Sequence, residues 1–220
     1  MFVAGLMQKI HELDNPVTDQ PCECPAGDEN CPHFRELRRL REENQELAAL
    51  VRTDELTGLF NFRYFMQAVE LEMERSRRSD QPTTLIMLDI DHFKEVNDKH
   101  GHEVGNRTLA HVAKVLRNAI RRLDIPCRYG GEEFALILPD TPLSAGVLFA
   151  SRLRHLIENA SIDIGGVRIR LTASFGVDVY RKEDSCTARE FVERADSLLY
   201  AAKSSGRNKV RHPEFDINSE

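Results

Sequence analysis

The chain has 220 residues, with 30 basic and 36 acidic side chains and a formal net charge of −6. That length holds one ordinary domain and a short appendage, and the near-even charge lacks the positive excess of a duplex binder, so nucleic acid is not an expected partner. The opening "MFVAGLM" is too short and lacks the basic start of a signal peptide, no later run approaches a membrane span, and five cysteines, an odd number, argue against a disulfide framework, so a cytosolic protein is expected.

Residues 1–33 read as an irregular tail, since "DNPVTDQPCECPAGDENCP" carries four prolines and many turn formers. Cys22, Cys24, Cys31 and His33 are zinc-type ligands, but C-x-C is not the usual C-x-x-C spacing, and incidental thiols in a tail are the expectation. Residues 34–53 are rich in helix formers. Leu37, Leu40, Asn44, Leu47 and Val51 fall on successive a and d heptad positions, a short coiled-coil seam with Asn44 fixing register; the alternative is one amphipathic helix lying on its own domain.

After "TDELTGL" helical and strand patterns alternate, with no internal repeat. Residues 61–78 read as a helix and "TTLIMLDI" as a strand covered on both faces. A second helix is predicted over 106–122, with Leu109, Val112, Ala113, Leu116, Ala119 and Ile120 on one stripe. "PCRYGGEEFALIL" reads as two strands joined at Gly130 and Gly131, because a two-residue hairpin turn wants positive φ. A helix over 143–159, a strand pair around "GVRIRLTASFGVDVY" and a last helix from "AREFVERADSLLYAAK" complete a mostly antiparallel sheet with helices packed on it, an α+β domain over 54–211, and 212–220 reads as a C-terminal tail.

The chemistry gathers at two strand ends. "LDID" puts Asp89 at the tip of the first strand, and the hairpin delivers Glu132 and Glu133 at the start of its second strand. If the strands are neighbours, these carboxylates converge, repel one another and raise some of their own pKa values. A hard divalent cation resolves that conflict, and Mg²⁺ is commonly shared between one or two carboxylates and substrate phosphates. Asp91 is expected to cap the following helix, "HFKEVNDKH".

"DELTGL" at 54, "DIDHFKEVNDKHGHEVGN" at 89, "RRLDIPCRYGGEEF" at 121, "TASFGV" at 172 and "ADSLLYAAKSSGRN" at 195 together resemble the GGDEF family of diguanylate cyclases, here as a GGEEF variant. The resemblance implies a palm-like fold similar to class III nucleotide cyclases. It also implies condensation of two GTP molecules into cyclic di-GMP with release of two pyrophosphates, across a homodimer and with Mg²⁺ or Mn²⁺. Carried over by motif, Asp89, the carbonyl of Ile90 and Glu132 look like metal ligands, and Glu132 or Glu133 helps remove the 3′-hydroxyl proton. Lys94, Lys203 and Arg207 match positions that meet phosphates, although Lys203 and Arg207 would equally suit the end of the last helix as plain cations. Phe93, Asn97, His102, Asn106, Gly130 and Gly131 fall at substrate positions. Arg128 braces the turn through Asp54, and Asp196 is scaffolding. Arg121 and Asp124 form the R-x-x-D pattern of the family's inhibitory product site.

Asn106 stands where the family usually has Asp. An amide offers guanine one acceptor and one donor, where a carboxylate accepts twice. The expectation is that Asn97 and the pocket shape keep guanine preferred; the alternative is a weakened GTP preference with some mixed GMP-AMP product. "NFR" at 61, often "NRR" in the family, has no clear consequence. A second class of function is a silent cyclic di-GMP receptor that uses Arg121 and Asp124, which the intact Asp89 and Glu132 argue against. With no sensor domain recognisable ahead of the heptads, control is expected from dimerisation, product binding or a regulatory protein on residues 1–53.

Overall fold

A computed structural model describes residues 35–41, 43, 51–160, 162–164 and 167–214. The chain separates into two units, Met1–Arg52 and Thr53–Glu220. In the first, residues 35–41 and 43 are helical and Leu37 and Leu40 are exposed. The heptad positions Asn44 and Leu47, and Cys22, Cys24, Cys31 and His33, lie outside the described residues.

The second unit runs α1 (Phe62–Ser79), β1 (Thr83–Ile90), α2 (Phe93–His100), α3 (His102–Ala119), β2 (Ile125–Gly130), β3 (Glu133–Leu138), α4 (Leu143–Asn159), β4 (Ile162–Ile164), β5 (Val167–Ile169), β6 (Ala173–Tyr180), α5 (Ala188–Ser204) and β7 (Val210–Arg211). The main sheet has the order β2-β3-β1-β6-β7, antiparallel except for the β6–β7 edge pair. β1 and β6 are buried along their whole length, including the polar Thr83, Thr84, Asp89, Ser174 and Asp178, because both faces of the central strands are covered. The strand pair expected around residues 166–180 is not formed: β5 pairs β4 in a separate two-stranded ladder, while β6 pairs β1. β6 runs along the full length of β1, which leaves three-residue β5 to form its own short ladder with β4.

Strand alternation divides the domain into two layers around the sheet. Even-numbered Ile86, Leu88 and Ile90 of β1 join Phe134, Leu136, Phe175 and Val177 in a core closed by Leu109, Val112, Ala113 and Leu116 of α3 and Ala150, Leu153 and Ile157 of α4. The odd-numbered face, with Leu85, Met87 and Asp89, carries α5. Its backbone rests on Gly176, where a Cβ would stand 2.2 Å from the Ala195 carbonyl oxygen and 2.3 Å from the Leu199 nitrogen. Only glycine admits a helix that close.

Helix α3 begins at His102, four residues before the predicted start, and ends at Ala119. Gly101, at φ 83°, ends α2 and starts α3 at one residue, a corner that needs no loop. Asn61 caps α1 by accepting from Tyr64 N–H at 3.0 Å, which gives the first residue of "NFR" a structural reason.

Candidate active site

β1 and β3 pair with Asp89 directly opposite Glu133, and β1 and β6 with Asp89 opposite Ser174. Directly opposed residues share one face of a sheet, so the two carboxylates stand side by side, and Ile90 N–H donates to the Glu132 carbonyl at 3.3 Å. Lys203, in the last turn of α5, places Nζ 2.7 Å from Asp89 Oδ2. The close seat of α5 on Gly176 brings that turn down onto the strand end. Lys203 therefore serves the carboxylates directly.

Burial raises the Asp89 pKa to about 6, with Lys203 opposing and Glu132 and Asp91 adding to the rise. Burial, then the Asp89 charge, raises Glu133 to about 7 against the pull of Lys203, with Asp196 and Glu132 contributing. Asp196, on α5, is also pushed up by burial. The cluster thus holds more negative charge than Lys203 offsets. Among the described residues no group of three or more His, Cys, Asp or Glu side chains is placed to hold a metal by itself. Asp89, the Ile90 carbonyl and Glu132 would nonetheless offer only hard oxygen, and a divalent cation there would relieve the repulsion between the carboxylates; Mg²⁺ ordinarily completes such a set with water and substrate phosphates.

The hairpin is held from behind. Arg128 donates from Nε and Nη2 to the Gly131 carbonyl at 3.0 and 2.9 Å and from Nη1 to Asp54 at 3.0 Å, while Thr57 donates to Asp54 through N–H and hydroxyl at 2.8 and 2.6 Å. "DELTGL" is thus the brace of the turn. The turn itself differs from expectation: Gly131 has φ 40°, but Gly130 does not have positive φ and pairs with Glu133 as the last residue of β2, leaving Gly131 and Glu132 as the turn. A register shift between Arg128 and Gly130 absorbs the extra residue.

Asp91 does not cap α2. His92 occupies the cap position in a left-handed conformation without a side-chain cap bond. The Asp91 carboxylate instead accepts from Thr172 Oγ1 and Ser174 Oγ, each at 2.7 Å, and from Asn208 N–H at 3.0 Å. Three strong neutral donors outcompete a solvent-facing cap.

At the α2–α3 corner, Asn97 Oδ1 lies 1.9 Å from where a Gly105 Cβ would be, so Gly105 is what lets Asn97 lie against α3. Asn106, the next residue, is exposed, as are His102 and Lys94. The Phe93 ring is buried against the same corner. Arg207 is exposed in the turn beyond α5. The site residues on β1, the hairpin and α5 are brought together by hydrogen bonds and register; those of the α2–α3 corner form a second group.

Arg121 and Asp124 precede β2, at the end away from the glycines. A strand of this length spans roughly 20 Å, so this pair is remote from Asp89. Asp124 Oδ2 accepts from the Arg121 backbone N–H at 2.7 Å, leaving the exposed guanidinium free of that bond. The two residues line a cavity of about 480 Å³ with Leu148, Phe149 and Arg152, and burial raises the Asp124 pKa. A larger cavity of about 1000 Å³ lies behind α2, where Glu95 and Glu158 are already engaged by His92 and Arg154.

Sequence reasoning missed Asn208, Gly105 and the packing role of Gly176. Asn after Gly-Arg at a helix end was a legible signal, since Asn tolerates left-handed backbone.

The family profile described as "Diguanylate cyclase, GGDEF domain" matches residues 51–209. The response regulator PleD of Caulobacter vibrioides is 38% identical over 176 residues, 79% of this chain and 38% of that protein, so the chain spans about two fifths of this relative's length. Among solved structures, the coiled coil and GGDEF domain of DgcB from Caulobacter crescentus, in complex with c-di-GMP, matches with a TM-score of 0.70 at 29% identity, over 82% of this chain and 95% of that one. Diguanylate cyclase SiaD from Pseudomonas aeruginosa, in complex with its activator SiaC, matches with a TM-score of 0.71 at 32% identity, over 96% of this chain and 81% of that one.

Proposed function

The chain belongs to the GGDEF family of diguanylate cyclase domains, and from that premise we propose that it condenses two GTP molecules into cyclic di-GMP. The observation that carries the reading is the pairing of Asp89 with Glu133 at the end of the sheet, with Lys203 on Asp89 at 2.7 Å. Phosphoryl transfer is chiefly positioning and electrostatic stabilisation, and this end of the sheet supplies both signs of charge within contact distance.

Asp89, the Ile90 carbonyl and Glu132 would hold Mg²⁺, or Mn²⁺ in its place. When bound, the metal neutralises charge developing on the transferred phosphate. Glu133 is poised near neutrality, which suits acceptance of the 3′-hydroxyl proton as the new O–P bond forms and pyrophosphate leaves. Lys94, Lys203 and Arg207 meet the phosphates. The α2–α3 corner, with Asn97, His102 and Asn106, takes the nucleoside. Gly130 and Gly131 allow close backbone approach.

Each domain holds one GTP, so the reaction needs two copies. The exposed Leu37 and Leu40 of the heptad segment support a homodimer. The cavity at Arg121 and Asp124 would take cyclic di-GMP and restrain turnover, and residues 1–53 would receive a regulatory protein. That cavity also favours a second reading, a silent cyclic di-GMP receptor.

The test is incubation of purified protein with Mg²⁺ and GTP, ATP or both, with products identified by chromatography and mass detection. Cyclic di-GMP from GTP, lost in Asp89→Asn, supports the cyclase; appreciable cyclic GMP-AMP assigns base choice to Asn106. No product under any condition, together with tight binding of labelled cyclic di-GMP, replaces the cyclase with the receptor.

A further inference from the structure

The segment after α5 makes a hook. Gly206, Arg207 and Asn208 all have positive φ, at 105°, 55° and 48°, after which Phe175 N–H donates to the Lys209 carbonyl at 2.8 Å and Val210 pairs with Phe175. Two successive non-glycine residues in the left-handed region persist only where their surroundings hold them. Here the hold runs through Asn208.

Its N–H donates to Asp91 Oδ2 at 3.0 Å, which ties the hook to the end of β1. Its side-chain Nδ2 donates to Glu158 Oε1 at 2.8 Å, and its Oδ1 accepts from Arg154 Nη1 at 3.0 Å. Arg154 Nη1 also donates to Glu158 Oε2 at 3.1 Å, closing a triangle of three side chains. Both partners belong to α4, which covers the face of the sheet opposite α5. The turn that carries Arg207 is therefore fastened from both layers.

We infer that Arg154 and Glu158 are positioning residues of the nucleotide site: through Asn208 they fix the left-handed turn that presents Arg207 to the triphosphate. Neither touches substrate. The inference rests on the cyclase reading for the identity of the ligand, and on the hook alone for the mechanical role. Arg154 and Glu158 share a charge-assisted contact with Asn208, which is stronger than a neutral hydrogen bond.

Three variants of the full chain test it. Glu158→Ala removes the acceptor, Glu158→Gln retains one, and Asn208→Gly deletes the side chain while keeping a residue that adopts positive φ freely. Loss of one charge-assisted hydrogen bond corresponds to about ten- to a hundredfold, expected as a rise in the KM for GTP in Glu158→Ala and Asn208→Gly. In the same variants kcat falls by less than about threefold, the signature of lost binding, and Glu158→Gln stays within about threefold of the parent in both constants. Amide exchange across residues 206–208 accelerates in the first two variants and not in Glu158→Gln. Unchanged KM in both, or kcat and Tm falling together at constant KM, overturns the inference. If the parent protein makes no cyclic di-GMP, the cyclase reading fails by itself. The positioning role is then decided by amide exchange, and unaltered exchange at 206–208 in Glu158→Ala overturns it.

Discussion

Asp89 and Asp91 stand two residues apart at one end of β1, both buried, in opposite chemical circumstances. Asp91 is surrounded by neutral donors, two hydroxyls and a backbone N–H, that anchor the end of β1 to Thr172, to Ser174 of β6 and to the hook beyond α5. Asp89 faces carboxylates, with Lys203 as its cationic partner, and its pKa rises to about 6. A buried carboxylate whose lone pairs are satisfied stabilises a fold, whereas one left among like charges stores an electrostatic demand that a substrate or metal answers. Two similar residues in one motif thus divide scaffold from chemistry.

The sharpest way to break this contrast is to neutralise each in turn. Asp89→Asn should lower turnover by about a hundred- to thousandfold, with Tm within about 3 °C of the parent, measured by product formation and calorimetry. Asp91→Ala should reverse the pattern, with stability falling by about 2–4 kcal/mol as two hydroxyls and an N–H lose their acceptor. Equal effects of the two on Tm would erase the distinction.

Gly176→Ala sets the added methyl against the backbone of α5. We expect a loss of about 1–3 kcal/mol, together with lower kcat/KM because Lys203 is lifted from Asp89. An α5 seat that tolerated alanine with full activity would show that the close approach is incidental.

The crowded carboxylates also predict a pH dependence. Glu133 and Asp89 have folded pKa values of about 7 and about 6, above their ordinary values of 4.5 and 3.8, so the folded state holds more protons than the unfolded one between about pH 4 and 7. Stability of the metal-free protein therefore falls as pH rises through that window, by on the order of 4–6 kcal/mol. Denaturant midpoints at pH 5 and pH 8 measure it, and Glu133→Gln should remove most of the difference. A flat profile in the parent would mean the carboxylates are better solvated than their burial implies.

The smallest expected effect is at the exposed corner. Asn106→Asp should raise the GTP:ATP ratio of kcat/KM by up to about tenfold, the scale of one bidentate base contact, with guanine preferred in both proteins. An unchanged ratio would leave base choice to Asn97 and the pocket shape.

Much of this was legible in one dimension. Strand β1 and helix α4 were bounded correctly because a short apolar run marks the one and a longer helical apolar period the other. The convergence of Asp89 with the hairpin glutamates followed from their places at strand ends, and Arg128 with Asp54 from motif resemblance. The start of α3 was misplaced because Gly101 serves two helices at once, a double role that local propensity does not encode. Asp91 was misassigned as a cap because capping is the local option for Asp, and its true partners lie 81 to 117 positions away.

Sequence by itself determined the family, the element types and the ends of the sheet where charge accumulates, since periodicity, turn chemistry and motif order are properties of neighbouring residues. The tertiary structure decided which carboxylate is satisfied and which is not, how closely α5 sits on Gly176, and what fastens the hook at Asn208. Those outcomes depend on distances between residues far apart in the chain, and hydrogen bonding, burial and charge repulsion act on distance rather than on order.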